Sequence, residues 1–155
     1  MSNSAISMYA LGLDQIETMI RVGGAKRTTL VQGHMGTGKS SLLKALGATL
    51  PDHTMCYFDC TTKDLGDITI PQLQTIDDSG YVRYVTNEEL GLHLSKPIIL
   101  MVDEYGKANP AVKNAMLRLL LERKMGSYEL HSESLVFATT NLGAEGVGDL
   151  LPPHA

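Results

Sequence analysis

Several residue types that mark specialised classes of protein are scarce in this sequence. Its 155 residues include no tryptophan, aromatic residues make up only 5%, and there are two cysteines, Cys56 and Cys60. A small scaffold held together by many disulfides is therefore excluded. On a strand, two cysteines four positions apart are too distant for an easy disulfide. We expect two buried or half-buried thiols, which fits a reducing compartment.

The sequence also lacks a long apolar run and any block of like charge. Its longest apolar run, 98–102, is far too short to span a membrane. The N-terminus has no basic segment followed by an apolar run, so it does not match the pattern of a signal peptide. The formal net charge is −4, with no cluster of lysine and arginine typical of a nucleic-acid-binding arm. We therefore expect a cytoplasmic protein. This charge balance is still compatible with a basic pore assembled from several subunits.

The hydrophobic pattern predicts strands that alternate with helices within a single domain, 1–155. Strands are predicted at 28–32, 54–60, 97–102 and 135–139, and helices after Asp14, at 40–50 and at 110–124. Asp14 and Glu17 have the spacing of a capping box. The alternation predicts an α/β three-layer αβα sandwich with a mostly parallel central sheet.

Residues 61–95 are the least regular part of the sequence, and we interpret them as an insertion. Within them, 73–76 and 81–85 flank the turn residues DDSG, which predicts a hairpin. A short helix is predicted at 87–94. We expect residues 1–12 to form an ordered N-terminal arm.

Residues 33–40 carry the strongest chemical signal. They read GHMGTGKS, which matches the phosphate-loop pattern G-x-x-x-x-G-K-[ST] between a predicted strand and a predicted helix. Glycines let backbone N–H groups curl round phosphates, and the helix N-terminus favours negative charge. Lys39 would contact the β- and γ-phosphates of ATP, or the β-phosphate of ADP, and the Ser40 hydroxyl would reach Mg²⁺. The predicted nucleotide-binding residues are Gly33, His34, Met35, Gly36, Thr37, Gly38, Lys39, Ser40 and Ser41. Of these, the motif leaves His34 and Met35 open, so they are assigned no chemistry.

Polar side chains follow two of the predicted strands. Asp103 and Glu104 come directly after the apolar run, and Asn141 follows the last predicted strand. Ligands bind outside the carboxyl ends of such strands. Asp103 is suited to hold Mg²⁺ through water, and Glu104 to act as general base on a water molecule. Asn141 is suited to orient that water or to contact the γ-phosphate. Each feature alone is also typical of an ordinary turn, but the phosphate loop favours the catalytic interpretation.

Together, the segments GHMGTGKS, IILMVDEY and VFATTN resemble the AAA+ ATPases. The stretch from Asp103 to Asn141 looks most like the MoxR-type branch, in which a D-E-I-x-[RK]-A-x-P segment leads into a helix, a short hairpin and an I-A-T-x-N strand. Tyr105 departs from that pattern, because an apolar residue is usual there. The resemblance covers about residues 10–150.

The resemblance implies an ATPase that uses ATP and Mg²⁺, forms a homo-oligomeric ring, usually a hexamer, and remodels a protein partner. By this resemblance, Lys39 would be the lysine that binds phosphate, the Ser40 hydroxyl and the Asp103 carboxylate would hold magnesium, Glu104 would be the catalytic base, and Asn141 would be the first sensor. Pore-lining loops in the family lie where this chain has the predicted hairpin and the segment 124–131. Both could equally be plain surface hairpins.

The interface arginine, fifth strand, helical lid and second sensor of the family have no counterpart in this sequence. We therefore expect the large AAA+ subdomain without its lid, with slow hydrolysis by this chain alone, because an arginine supplied by a neighbour is worth ~10³–10⁵ in rate in related enzymes. Two alternatives remain: a AAA+ motor acting on nucleic acid, of helicase or loader type, and a nucleotide-binding switch with little turnover. A small-molecule kinase is a weaker alternative, since no acceptor-binding motif is visible.

Overall fold

Strands and helices alternate along the part of the chain that the computed structural model describes, residues 12–33 and 38–141. The α-helices are α1 (Leu13–Gly23), α2 (Ser41–Thr49) and α3 (Pro110–Glu122). The strands are β1 (Thr29–Gly33), β2 (Thr54–Asp59), β3 (Thr69–Ile76), β4 (Ser79–Thr86), β5 (Ile98–Asp103), β6 (Lys124–Met125), β7 (Tyr128–Glu129) and β8 (Leu135–Asn141). None of the described helices has the length and hydropathy needed to cross a membrane.

The central sheet of the described residues has four strands in the order β1-β8-β5-β2, and every neighbouring pair is parallel. The register places Gly33 of β1 beside Asn141 of β8, and Asp59 of β2 beside Asp103 of β5. Polar residues at the ends of separate strands are thereby gathered at one edge, which we call the carboxyl edge. The prediction of a P-loop α/β sandwich is confirmed.

Strand β5 explains why the sheet is covered on both faces. Its residues from Ile98 to Val102 are all buried. Ile98, Leu100 and Val102 pack in a cluster with α3, whereas Ile99 and Met101 pack with α1 and α2. An alternating strand would have one polar face, and this continuous apolar run instead requires a helical layer on each side.

Two predicted helix boundaries are wrong. Helix α1 begins at Leu13, and its capping residue is Gly12 rather than Asp14. The Gln15 side chain accepts a hydrogen bond from the Gly12 backbone N–H at 3.0 Å, so Asp14 lies in the first turn, where the helix dipole favours its charge. Helix α3 ends at Glu122 because Arg123 adopts the left-handed conformation, with φ of 60°.

Tyr105, the departure from the branch pattern, is a core residue. It is 1% exposed and lies in the cluster with α3. Its hydroxyl donates to the carbonyl oxygen of Lys113 at 3.1 Å. The ring therefore replaces an apolar side chain, and the single polar atom is satisfied by the helix that covers it.

The insertion contains the predicted hairpin, but its strands are longer than expected. Strands β3 and β4 pair antiparallel over eight residues each and are joined by Asp77 and Asp78, both with positive φ. This two-residue turn matches the twist of a hairpin. The helix predicted at 87–94 shortens to a single 3₁₀ turn, Glu88–Leu90, which ends at Gly91. A Cβ at Gly91 would lie 2.5 Å from the Cys56 sulfur, so glycine is required there.

The β3–β4 hairpin carries an exposed apolar face. Leu73 and Val82 are directly paired, Tyr84 is two positions from Val82, and these side chains are 77%, 53% and 56% exposed. Alternate residues of a strand share one face. The three side chains therefore form a contiguous apolar surface, which we call the hairpin face.

Both cysteines are free and buried, as predicted. Burial raises the pKa of the Cys60 thiol from its ordinary 9.0 to about 12, and the charges of Asp59 and Asp103 add to that rise. The thiolate is the reactive form, so Cys60 should be inert in the folded chain.

We expect alkylation of Cys60 at pH 8 to be slower by roughly a thousandfold in the folded chain than in urea, from the thiolate fractions at pKa values of about 12 and 9.0. Mass spectrometry of a timed iodoacetamide reaction measures this ratio. The same pKa difference makes the free energy of unfolding depend on pH. Because the pKa of Cys60 is higher in the folded chain than in the unfolded chain, its contribution to that free energy is complete below about pH 9 and is lost as the pH rises towards 12. Equal labelling rates in the two conditions would contradict the burial of this thiol.

Candidate functional site

Four of the polar residues singled out in the sequence meet at the carboxyl edge of the sheet. Lys39 precedes α2, Asp103 ends β5, Glu104 follows it, and Asn141 ends β8. In the sequence, Lys39 and Asp103 are 64 positions apart, and Glu104 and Asn141 are 37 positions apart. The parallel pairing of the strands brings these residues together. The same arrangement puts an ammonium group, two carboxylates and an amide in one cluster.

The ammonium group of Lys39 is held by three acceptors. Its Nζ donates to the carbonyl oxygens of Gly33 at 2.9 Å and Thr140 at 2.8 Å, and to Oδ1 of Asn141 at 2.5 Å. A lysine has three N–H donors, so all three can be used. The residue is 9% exposed. Burial lowers the pKa of Lys39, although the nearby charges of Glu104 and Asp103 act in the opposite direction.

The backbone around Lys39 requires glycine at position 38 and accepts a hydrogen bond from one serine hydroxyl. Gly38 has φ of 89°, and a Cβ there would lie 2.9 Å from a methyl carbon of Leu13. The Ser41 hydroxyl donates to the Gly38 carbonyl oxygen at 2.6 Å. Ser40 is exposed, and its hydroxyl makes no capping hydrogen bond to α2 within the described structure. Four predicted nucleotide-binding residues lie outside the described residues: His34, Met35, Gly36 and Thr37.

The Asp103 carboxylate is oriented by two hydroxyl groups. Its Oδ1 accepts a short hydrogen bond from Thr139, and its Oδ2 accepts one from Tyr57 at 2.5 Å. The Thr139 oxygen in turn accepts from the Glu104 backbone N–H at 3.3 Å. Thr139 is fully buried, so its hydroxyl links the two acidic residues without contacting solvent.

The Tyr57 hydroxyl stays protonated near neutral pH and is therefore a hydrogen-bond donor. Burial raises its pKa, and both the hydrogen bond to Asp103 and the neighbouring negative charges raise it further. Sequence reasoning assigned no role to Tyr57 or Thr139. For Thr139, a polar residue within a buried apolar strand was an available signal, whereas the contact of Tyr57 depends on strand register.

Glu104 has an unusual backbone and a tethered side chain. Its φ of 56° and ψ of 41° are left-handed, which is uncommon for a residue other than glycine and concentrates at functional sites. Its Oε1 and Oε2 accept hydrogen bonds from Nδ2 of Asn141 at 3.2 and 3.0 Å. Lysine only donates and a carboxylate only accepts. The amide of Asn141 therefore has one possible orientation, with oxygen towards Lys39 and nitrogen towards Glu104.

The donor set at this edge fits a magnesium ion that is shared with a ligand. Within the described ranges, no group of three or more His, Cys, Asp or Glu residues could hold a metal ion. Mg²⁺ bound with nucleotide phosphates usually keeps several waters and needs only one or two protein oxygens. The Asp103 carboxylate and the Ser40 hydroxyl supply oxygens of this kind.

A family model described as the AAA domain (dynein-related subfamily) matches residues 28–147. The match covers most of the chain, and it includes the whole central sheet together with Lys39, Asp103, Glu104 and Asn141. The chain belongs to this family. It is thus a AAA+ ATPase nucleotide-binding module, and the broader part of the resemblance drawn from the sequence is confirmed. No curated protein is similar enough to this AAA domain to count as a match.

Proposed function

We propose that this AAA domain binds ATP with Mg²⁺ at the carboxyl edge of the sheet, hydrolyses the ATP, and acts as the core of a motor that remodels a protein partner. The main support is the series of hydrogen bonds from Lys39 through Asn141 to Glu104. It holds the Lys39 ammonium group and the Glu104 carboxylate on the two sides of one amide, which supports their proposed roles as phosphate-binding cation and general base. Such positioning supplies most of the catalysis in phosphoryl transfer.

In this proposal, residues 33–41 surround the phosphates. Lys39 exchanges contacts with protein acceptors for contacts with the β- and γ-phosphate oxygens, which carry more charge than a carbonyl oxygen. The ordered start of α2 directs backbone N–H groups and the positive end of the helix dipole towards the same phosphates. Ser40 and Asp103 hold Mg²⁺, which neutralises charge that develops on the phosphates.

Glu104 accepts a proton from the attacking water. The hydrogen bonds from Asn141 orient the Glu104 carboxylate, and the left-handed backbone of Glu104 ends the extended path of β5. Because Asn141 contacts Lys39 as well, the amide is also suitably placed to contact the γ-phosphate or the attacking water. The proposed catalytic residues are therefore Lys39, Glu104 and Asn141.

A protein is the favoured partner because of the hairpin face and the charge balance. Leu73, Val82 and Tyr84 offer an exposed apolar surface of the kind that marks protein interaction, and the net charge of −4 disfavours nucleic acid. The closer resemblance to the MoxR-type branch, a homo-oligomeric ring such as a hexamer, and a cytoplasmic location belong to the same proposal. The two free thiols support the last of these.

Calorimetric titration of Mg-ATP and Mg-ADP into the chain tests the nucleotide site. We expect dissociation constants on the order of micromolar, and loss of detectable binding in Lys39→Ala, because this change removes the buried positive charge. Lys44→Ala is the matched control, since Lys44 lies on the exposed side of α2. Thermal unfolding of each variant verifies that it is folded. Retained affinity in folded Lys39→Ala would refute the proposed site.

A further inference from the structure

Tyr57 lies on the edge strand of the central sheet, one diagonal step from Asp103. Its register partner on β5 is Met101, and Asp103 is two residues further along. The hydrogen bond between the Tyr57 hydroxyl and Asp103 shows that the long aromatic side chain spans this diagonal. Tyr57 shares its face of β2 with Met55, whose sulfur packs against Gly47 of α2. The Tyr57 hydroxyl thus points along the sheet towards the carboxyl edge.

Packing does not explain why this position carries a hydroxyl group. Tyr57 is 45% exposed, so its ring fills little of the core, and phenylalanine would cover the same surface. The hydroxyl has one partner among the described residues, Oδ2 of Asp103 at 2.5 Å. Together with Thr139 on Oδ1, it gives each carboxylate oxygen its own hydroxyl donor. The rotation of the carboxylate is therefore restricted from both sides.

We propose that Tyr57 is a positioning residue for magnesium, which orients the Asp103 carboxylate towards the waters of a nucleotide-bound ion. This inference rests on the proposed function, since it concerns the same site. Each carboxylate oxygen can accept a second hydrogen bond, so Tyr57 and Thr139 leave Asp103 free to accept from magnesium-bound water. Groups that orient a metal ligand typically contribute 10–100-fold, in order-of-magnitude terms, to metal affinity. Because Thr139 remains and Tyr57 is partly exposed, we expect about tenfold for Tyr57.

The test measures binding of a fluorescent ATP analogue to the full chain, both with increasing Mg²⁺ and in EDTA. Tyr57→Phe removes only the hydroxyl group. Tyr81→Phe is the same change at a tyrosine of similar exposure on the β3–β4 hairpin, outside the hairpin face, and serves as the control. We expect Tyr57→Phe to need about tenfold more Mg²⁺ for half of the magnesium-dependent gain in affinity. Its affinity in EDTA should equal that of the unmodified chain, and Tyr81→Phe should match the unmodified chain in both conditions.

The two conditions distinguish a positioning role for Tyr57 from a general structural role. An unchanged Mg²⁺ requirement in Tyr57→Phe overturns the inference and leaves the proposed function intact. An equal loss of affinity with Mg²⁺ and in EDTA also overturns it, because that result indicates a general structural effect. If the unmodified chain binds no nucleotide in either condition, the proposed function fails and this inference fails with it.

Discussion

Glu104→Gln is expected to lower the rate of ATP hydrolysis by a factor of about 10²–10⁴, the usual contribution of a general base, while the affinity for Mg-ATP stays nearly unchanged. Glutamine has the size and shape of glutamate but cannot accept the proton of the attacking water. In the unmodified chain, Nδ2 of Asn141 lies 3.0 Å from a Glu104 oxygen. The side-chain oxygen of glutamine can still accept a hydrogen bond from the same Nδ2. The variant therefore removes the base and retains most of the geometry.

Single-turnover hydrolysis with enzyme in excess is the appropriate measurement, since turnover by the chain alone is expected to be slow. Glu122→Gln provides the matched control: Glu122 is an exposed residue whose only described ion pair is with Arg118 on the same helix. Calorimetry on both variants separates binding from chemistry. Unchanged hydrolysis in Glu104→Gln would exclude this residue as the base and would favour a nucleotide-binding switch over a motor.

Arg123→Ala is expected to reduce the free energy of unfolding by about 2–4 kcal/mol, because several hydrogen bonds from a charged group are lost and buried carbonyls lose their partner. The guanidinium donates to the carbonyl oxygens of Ser134 at 3.0 Å and of Gly24, and lies 3.5 Å from the Thr28 hydroxyl oxygen. Thr28 itself donates to the Leu120 carbonyl oxygen at 2.6 Å. One side chain thus connects the end of α1, the starts of β1 and β8, and the end of α3.

Urea unfolding of two further variants separates the contribution of charge from that of geometry. Arg123→Lys keeps the charge but loses the planar fork of donors, so its stability should lie between those of the unmodified chain and Arg123→Ala. Arg118→Ala removes an exposed ion pair within α3 and should cost less than about 0.5 kcal/mol. A similarly small effect of Arg123→Ala would show that the strand starts are held by packing alone.

Elements defined by local pattern could be predicted from the sequence. The apolar run that forms β5 is buried throughout, and the turn of two aspartates joins β3 to β4. These features depend on neighbours within a few positions of each other. The start of α1 differs from the prediction because the Gln15 side chain accepts a hydrogen bond from the Gly12 backbone N–H, so the helix begins before Asp14. The spacing of Asp14 and Glu17 alone does not reveal this contact.

The candidate site was predictable as a list of residues but not as a network. Lys39, Asp103, Glu104 and Asn141 each follow or precede a predicted strand, and parallel strands bring such positions to one edge. Thr139 and Tyr57 act through contacts between strands. Those contacts depend on the register of the strands, which no local sequence pattern predicts. The contacts of the Arg123 guanidinium are likewise tertiary, although its neighbours in sequence suggested only the end of a helix.

The single amide that separates Lys39 from Glu104 has a thermodynamic consequence. Any ligand that draws Lys39 away from Oδ1 of Asn141 changes the energy of the contact between Nδ2 and Glu104, and by linkage the reverse change is equal in size. The effects of substitutions at these positions should therefore not add: a double-mutant cycle between Lys39 and Glu104 measures a direct attraction between the two charges together with a part that depends on Asn141, and the coupling energy should fall when Asn141 is replaced. One side chain thereby couples the Glu104 carboxylate to whatever group the Lys39 ammonium contacts.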